Sequence, residues 1–359
     1  MSHQKNHTTR DNKLNRKEIL DLLSLQDEKE IDALSRKAFE VKREFTGNKV
    51  YLRGLLEVSN ICRKNCYYCG IRKGNKKVHR YLVKREEVLD AARFAHDHGF
   101  GSLVFQSGER TDKKFIDYID GLLREIHKIT NNSLGITLSL GEQKKETYKR
   151  WKDSGAHRYL LRIETSNEEL YYKLHPEDET HAFRNRIKAL EDLKKLSYQT
   201  GTGVMIGLPF QTTGNLADDL LFMKNFDVDM VGMGPYIEHA ETPLQEHFEK
   251  LPSKTERYQL ALKMIATLRL LMPDINIAST TALETLHPDG RLNALKSGTN
   301  VFMPNLTPSQ YREDYFLYDG KPGINMEIID YLKDFDQKLK NNGQQIGWGE
   351  QGNSKHWKG

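Results

Sequence analysis

A regular alternation of predicted strands and helices occupies most of this 359-residue chain. Short, apolar, β-prone segments alternate with amphipathic stretches in which apolar residues recur every three or four positions. Strands that alternate with helices pair in parallel, and eight such units are typical of a closed (β/α)₈ barrel of the TIM type. The eight predicted strands span residues 50–59, 102–106, 135–140, 158–164, 202–207, 229–234, 275–280 and 300–304.

An open, doubly wound sheet is the alternative arrangement of the same units. The sequence G-x-G-x-x-G, which opens many such sheets, does not follow the first predicted strand, where a cysteine-containing loop stands instead. Every predicted strand also ends in small, polar or turn-forming residues, such as QSGE at 106–109 and STTA at 279–282. In a barrel these ends meet on one rim, where active sites lie. We therefore predict an α/β barrel with a site at that rim.

The segments that flank the predicted barrel indicate short extensions of a single domain. Residues 1–49 predict a basic, solvated tail and two helices that pack on the barrel, and residues 50–318 form the barrel itself. Residues 319–359 predict a C-terminal helix near 323–340, followed by a flexible tail.

Composition and charge limit the class of protein and of partner. No run of about twenty apolar residues occurs, and the N-terminus lacks the apolar stretch that a secretory signal needs. The net charge of +5 is small for this length and does not by itself indicate a nucleic-acid partner. The odd number of cysteines argues against a disulfide framework. We expect a cytoplasmic protein with neither a membrane nor a nucleic acid as its partner.

All three cysteines of the chain, Cys62, Cys66 and Cys69, lie in the loop after the first predicted strand, spaced C-x₃-C-x₂-C. A structural zinc site normally has four protein ligands, so zinc would also need a histidine such as His79. Three thiolates can instead bind three irons of a [4Fe–4S] cluster and leave the fourth iron free for a small ligand. This pattern favours the cluster, and a zinc site and inert thiols remain as alternatives.

The cysteine loop, with Tyr68 directly before Cys69, resembles the cluster motif of the radical S-adenosylmethionine (SAM) enzymes. The resemblance covers residues 50–318, and the pair of motifs QSGE and SLGE is similar to the HydE family of [FeFe]-hydrogenase maturases. Biotin synthase and methylornithine synthase are related families. The resemblance implies a [4Fe–4S] cluster on the three cysteines, SAM on the fourth iron, and reductive cleavage of SAM to a 5′-deoxyadenosyl radical.

The resemblance also assigns residues to SAM. Glu164 would accept hydrogen bonds from the ribose hydroxyls, and Arg186, or its close competitor Arg184, would bind the carboxylate in bidentate fashion. The QSGE motif would hold the methionine amine, and one aromatic and one apolar side chain would flank the adenine. Glu109 as an exposed turn carboxylate and Met205 as a core residue are the structural alternatives. The assigned residues are Tyr68, Gln106, Ser107, Gly108, Glu109, Glu164, Arg184, Arg186 and Met205.

Candidate substrate residues lie at strand ends or over the rim, and they are Thr137, Arg162, Thr280, Thr281, Met303 and Tyr311. Hydroxyls, one cation and an apolar wall suit a small, polar, carboxylate-bearing ligand. By resemblance, the substrate is a cysteine-bearing iron carbonyl/cyanide complex made by the maturase HydG. The resemblance further implies HydF as a partner and ferredoxin or flavodoxin as the electron donor.

The chain departs from the family in one respect. Many HydE sequences carry further cysteines near the C-terminus that bind a second cluster, whereas residues 70–359 contain none. A second cysteine-bound cluster is therefore excluded, and a methylornithine-synthase-like mutase gains some support as the alternative. Sulfur insertion of the biotin synthase type lacks the cysteines for a sacrificial cluster. A non-catalytic carrier of zinc or of an iron–sulfur cluster is the remaining alternative.

Overall fold

The structure, a computed structural model, describes residues 14–321 and 328–359. The predicted N-terminal tail and the first residues of the predicted C-terminal helix lie outside this range. The strands are β1 (Lys49–Ser59), β2 (Ser102–Ser107), β3 (Gly135–Ser139), β4 (Ala156–Leu160), β5 (Gln199–Thr202), β6 (Met205–Ile206), β7 (Met230–Val231), β8 (Gly234–Pro235), β9 (Asn276–Ser279), β10 (Val301–Phe302) and β11 (Gln345–Ile346).

The helices follow the strands along the chain, as the apolar periodicity predicts. They are α1 (Arg16–Leu23), α2 (Glu28–Thr46), α3 (Arg85–Asp97), α4 (Lys113–Ile129), α5 (Lys145–Asp153), α6 (Glu168–Leu174), α7 (Phe183–Lys195), α8 (Thr213–Phe226), α9 (Lys254–Leu271), α10 (Thr281–Leu286), α11 (Gly290–Lys296), α12 (Ser309–Arg312) and α13 (Ile328–Lys340). Glu179–His181 and Pro243–Lys250 form short 3₁₀ helices. Within the described range, no helix has the length and apolar character needed to cross a membrane.

Eight parallel strands of the described chain close into a barrel in the order β1, β2, β3, β4, β5, β7, β9, β10. Pairing of β10 with β1 completes the ring, with Tyr51 opposite Val301 and Leu52 opposite Phe302. The short strands β6 and β8 pair with each other and follow β5 and β7 in the chain. The predicted TIM-type barrel is confirmed, although several strands are shorter than predicted.

Helix α4 illustrates how the sequence builds the outer layer. Asp112 precedes the helix, and its carboxylate accepts the main-chain N–H of Phe115, which satisfies a donor that the first turn leaves free. Phe115, Ile119, Leu122 and Ile126 recur every three or four residues and are completely buried. The N-terminal extension packs by the same principle, since Leu34 and Ala38 of α2 form a small core with residues of α9.

The C-terminal segment 345–359 packs against the amino-terminal end of the barrel. Strand β11 pairs in parallel with the start of β1. The main-chain carbonyls of Gln351 and Gly352 then accept hydrogen bonds from Arg158 at 2.7 Å and Arg53 at 3.1 Å, two buried guanidinium groups of the barrel strands. The segment therefore differs from the predicted flexible tail, because buried cations need acceptors and the tail supplies them.

Candidate active site at the carboxyl end of the barrel

A cavity of about 310 Å³ lies at the carboxyl ends of the barrel strands. The cysteine loop after β1 and the turn after β2 form one wall. The ends of β4, β9 and β10 form the facing walls, and Tyr315, Leu317 and Tyr318 from the segment after α12 complete the lining. The polar strand ends thus meet at one rim, as the sequence predicted.

All three cysteines line this cavity, and each is partly buried. Burial raises the pKa of each thiol. For Cys66 and Cys69 the neighbouring thiols add to this effect, and the pKa of Cys66 reaches about 12. The main-chain N–H of Glu109 donates to Cys62 Sγ at 3.3 Å. Three thiols on one cavity wall suit a cationic metal centre, which favours their thiolate form.

The arrangement of these thiols bears on the zinc alternative. In the described part of the chain, no three His, Cys, Asp or Glu side chains are grouped closely enough to hold one metal ion. Zinc needs its ligands at roughly 2.0–2.3 Å from a single point. A cube-shaped cluster instead takes each thiolate on a different iron.

Gly108 brings the turn after β2 into direct contact with the cysteine loop. A Cβ atom at this position would lie 2.5 Å from the carbonyl oxygen of Ile61 and 2.7 Å from Cys62 Cβ. The Gly108 N–H donates to the Ser59 carbonyl at 2.9 Å, and the Arg63 N–H donates to the Glu109 carbonyl at 2.9 Å. The absence of a side chain thus lets the QSGE turn and the cysteine loop pack as one unit.

Three buried charged residues and the partly buried Glu142 connect the cysteine loop to α7. Lys64 Nζ lies 3.1 Å from Glu142 Oε2 and 3.6 Å from Glu109 Oε1. Arg186 Nε donates to Glu142 Oε1, and the Glu142 N–H donates to Glu109 Oε2 at 2.8 Å. Burial raises the pKa of Glu109. Burial opposes ionisation of Glu142 as well, but Arg186 and Lys64 hold its pKa below the usual value. The exposed-turn alternative for Glu109 is therefore wrong.

Glu164, after β4, adopts an unusual backbone conformation. Its φ of 67° lies in the left-handed region, which costs a non-glycine residue about 1–3 kcal/mol. Hydrogen bonds to Gly203 and from Met205, at 3.0 and 3.2 Å, hold it there. Its buried Oε2 lies 2.9 Å from Arg162 Nη2 yet accepts no well-aligned hydrogen bond. This backbone conformation places a carboxylate with unused acceptor capacity in the cavity.

Most of the predicted site residues line the cavity, and Thr137, Arg184 and Tyr311 do not. Thr137 is buried within β3. Arg184 is exposed, because residues two positions apart on a helix point about 200° apart and Arg186 occupies the inner face. The Tyr311 hydroxyl donates to Glu87 at 2.7 Å, outside the cavity. These three assignments are corrected accordingly.

The cavity lining includes polar and charged residues that were absent from the sequence-based assignment, among them Lys64, Arg291, Tyr315 and Tyr318. Lys64 could have been found, since it stands between two of the cysteines. The two tyrosines lie in the aromatic-rich segment after the last barrel strand, where spacing alone does not distinguish Tyr311 from Tyr315. Arg291 reaches the cavity from α11, and no local pattern in the sequence indicates this.

Comparison with known proteins identifies the family. Residues 56–223 match the sequence model of the Radical SAM superfamily. The chain is also 46% identical to the [FeFe] hydrogenase maturase subunit HydE of Thermotoga maritima, over 85% of this chain and 84% of that protein. This chain belongs to the HydE family of radical SAM enzymes. Family membership implies a [4Fe–4S] cluster and SAM as the cofactors of this enzyme.

More distant relatives of this HydE-family chain share its fold. It is 29% identical to the 3-methylornithine synthase of Methanosarcina acetivorans, over 83% of this chain and 81% of the relative. The crystal structure of the methylornithine synthase PylB has a TM-score of 0.77 at 23% identity and covers 94% of this chain and 95% of that one. At this identity the structural likeness establishes the barrel fold alone.

The residues of the cavity fit both cofactors of the HydE family. Three thiols and a main-chain donor to Cys62 Sγ suit an iron–sulfur cluster. Two buried carboxylate oxygens, Glu109 Oε1 and Glu164 Oε2, accept no hydrogen bond, although each lies within ion-pair distance of an arginine. Such unused acceptors suit the amine and hydroxyl donors of SAM.

Proposed function

We propose that this HydE-family enzyme acts in the maturation of [FeFe] hydrogenase. In this role it would cleave SAM reductively and direct the resulting 5′-deoxyadenosyl radical to a small, cysteine-bearing iron carbonyl/cyanide complex held in the barrel. The observation that carries the proposal is a single cavity that joins three thiols to a separate polar wall, in a chain 46% identical to a curated HydE.

Cys62, Cys66 and Cys69 are the proposed ligands of the cluster. Their shared position on the cavity wall and the N–H donor to Cys62 Sγ support this role. When bound and reduced, the cluster supplies the electron that breaks a C–S bond of SAM. The chain has no other cysteine, so we propose no second thiolate-bound cluster.

Arg186 is the proposed partner of the SAM carboxylate. Its Nε donates to Glu142 and its Nη1 to the main-chain carbonyl of Arg162, which fixes the plane of the guanidinium and leaves the Nη2 side available. A guanidinium held in place by two hydrogen bonds loses little entropy when it binds a carboxylate.

The other wall residues would orient the remainder of SAM. The QSGE turn, with the buried carboxylate of Glu109, would hold the amine, and Glu164 would accept the ribose hydroxyls. Tyr68 and Met205 contact the same small apolar cluster beside the cavity and would flank the adenine. Met205 belongs to this apolar cluster and also lines the cavity. Its position is therefore compatible both with a packing role and with contact to the adenine.

The substrate would occupy the part of the cavity near β4, β9 and β10. Arg162, Thr280, Thr281 and Met303 line it. The unpartnered Nε of Arg162 is available to a carboxylate of the substrate. The Thr281 hydroxyl pairs with that of Tyr318 at 2.7 Å, and this tyrosine would help exclude water from the radical.

The test is hydrogenase activation in a defined maturation mixture. Purified apo-[FeFe] hydrogenase, HydG, HydF, SAM and dithionite are combined with or without this protein, and hydrogen evolution is measured. We expect evolution to require this protein and to be lost with C66S. The variant K77Q changes the charge of an exposed residue of the same loop and serves as the matched control.

Two other outcomes would decide against the proposal. Absence of SAM cleavage by iron-loaded protein would contradict the radical SAM assignment of the cavity. SAM cleavage without hydrogenase activation, together with formation of 3-methylornithine from a mixture of amino acids, would support the mutase alternative instead.

A further inference from the structure

Arg80 forms an unusually complete set of hydrogen bonds with the cysteine loop. Its Nη1 donates to the carbonyls of Asn60 and Ile71, both at 2.7 Å. Its Nη2 donates to the carbonyls of Arg72 at 2.7 Å and Asn75 at 3.0 Å. All four acceptors are main-chain carbonyls. This one side chain therefore supplies the hydrogen-bond donors that a helix or a sheet would otherwise provide.

The positions of these acceptors tie together both ends of the cysteine motif. Asn60 precedes Cys62 by two residues, and Ile71 follows Cys69 by two. The main-chain N–H of Arg72 belongs to the same peptide group as the Ile71 carbonyl, and it donates to the carbonyl of Cys69 at 3.2 Å. A peptide group that Arg80 holds in place is thus hydrogen-bonded directly to the backbone of a proposed ligand.

The chemistry of the contact requires arginine. Four acceptors on two terminal nitrogens need the planar, rigid set of donors that a guanidinium presents. Lysine offers one nitrogen with three donors and cannot reach all four carbonyls in this geometry. Other cations of the loop have different roles, since Lys77 forms an exposed ion pair with Glu241.

We propose that Arg80 is a positioning residue that holds the cysteine loop in the conformation required for cluster binding. Arg80 does not itself contact the reacting atoms in this proposal. The proposal rests on the cluster of the radical SAM family and is independent of which substrate the enzyme uses. A failure of hydrogenase activation would therefore leave it intact.

The experiment compares R80K and R80Q with K77Q, which removes a charge from the same loop without touching these carbonyls. Amide hydrogen exchange is measured on the metal-free proteins, and iron, sulfide and the EPR-monitored reduction potential are measured after anaerobic reconstitution. In R80K we expect exchange of residues 60–75 to accelerate by about tenfold or more, with unchanged protection of residues 102–107 and 135–139.

Reconstituted R80K should bind less iron than K77Q. The fraction that binds should have a more negative reduction potential, because a displaced loop weakens the hydrogen bond from the Glu109 N–H to Cys62 Sγ, and N–H donors to sulfur favour the reduced cluster. R80Q should show a larger loss of iron. Full iron content at the wild-type potential in R80K would overturn the proposal. Loss of protection throughout the barrel would also overturn it, since the role would then be general stability and not the position of this loop.

Discussion

The contact at Gly108 allows a quantitative prediction for G108A. The added Cβ would lie 2.5 Å from the Ile61 carbonyl oxygen, and Cβ atoms are essentially never found within 3.0 Å of another atom, so the two groups must separate by at least 0.5 Å. Both obstacles, Ile61 O and Cys62 Cβ, belong to the cysteine loop and not to a flexible side-chain end. Overpacking of this kind typically costs about 1–3 kcal/mol.

A shift of this size also matters for the cofactor. Metal and catalytic sites tolerate displacements of roughly 0.5 Å before binding suffers. We therefore expect G108A to fold with a lowered melting temperature in the metal-free state and to bind clearly less iron on anaerobic reconstitution. The iron that does bind should give a weaker change in the reduced EPR spectrum when SAM is added.

The control is G121A. Gly121 lies within α4, and its added Cβ would meet only the end of the flexible Arg85 side chain, at 2.9 Å. Alanine is favoured over glycine in a helix by up to about 1 kcal/mol, so G121A should be neutral or stabilising and should load normally. Normal iron content and a normal SAM-dependent EPR change in G108A would refute the packing argument.

Three further predictions follow from the same contacts. Replacing a proposed ligand, as in C66A, should abolish SAM cleavage while far-UV circular dichroism stays unchanged, and retained cleavage would contradict the ligand assignment. In E142Q the buried Arg186 loses its charged partner, so KM for SAM should rise by about tenfold; E146Q, at an exposed position of α5, should leave KM unchanged. His356 lies between two carboxylates, which raise its pKa to about 9. Because this pKa is above the unfolded value of 6.5, the stabilisation is complete below pH 6.5 and is lost as pH rises through 9. Its size is of the order of 1 kcal/mol after solvent screening. H356A should abolish this dependence in denaturation measured from pH 6 to pH 10, and an unchanged slope would refute it.

The barrel could be predicted because its information is local. The period of apolar residues distinguishes strand from helix over short windows of sequence, as in the α4 positions Phe115 to Ile126. Alternation of the two elements then implies parallel pairing and a common rim. The grouping of the three thiols was equally evident, since all of them lie within eight consecutive positions.

The errors arose where a choice between near neighbours depends on orientation. Arg184 and Arg186 are equivalent as residue types, and only the docking of α7 on the barrel decides which one is buried. Tyr311 and Tyr315 differ in the same way within the segment after β10. The C-terminal segment looked flexible because it is rich in Gly, Asn and Gln. Its carbonyl acceptors lie 193 residues from Arg158 and 299 residues from Arg53 along the chain, so no local pattern indicates these contacts.

By itself the sequence determined the eight-unit barrel, the clustering of the three cysteines and the rim at which the cavity lies, because each depends on the spacing of residues close together in the chain. Only the tertiary structure decided which cations face the cavity, how Glu142 joins Lys64 to Arg186, and that Arg80 fastens the cysteine loop. The contacts of Glu142 join segments that are distant in the chain, and those of Arg80 depend on the course of a loop without regular secondary structure. No short-range pattern in the sequence specifies the partner of such a charge.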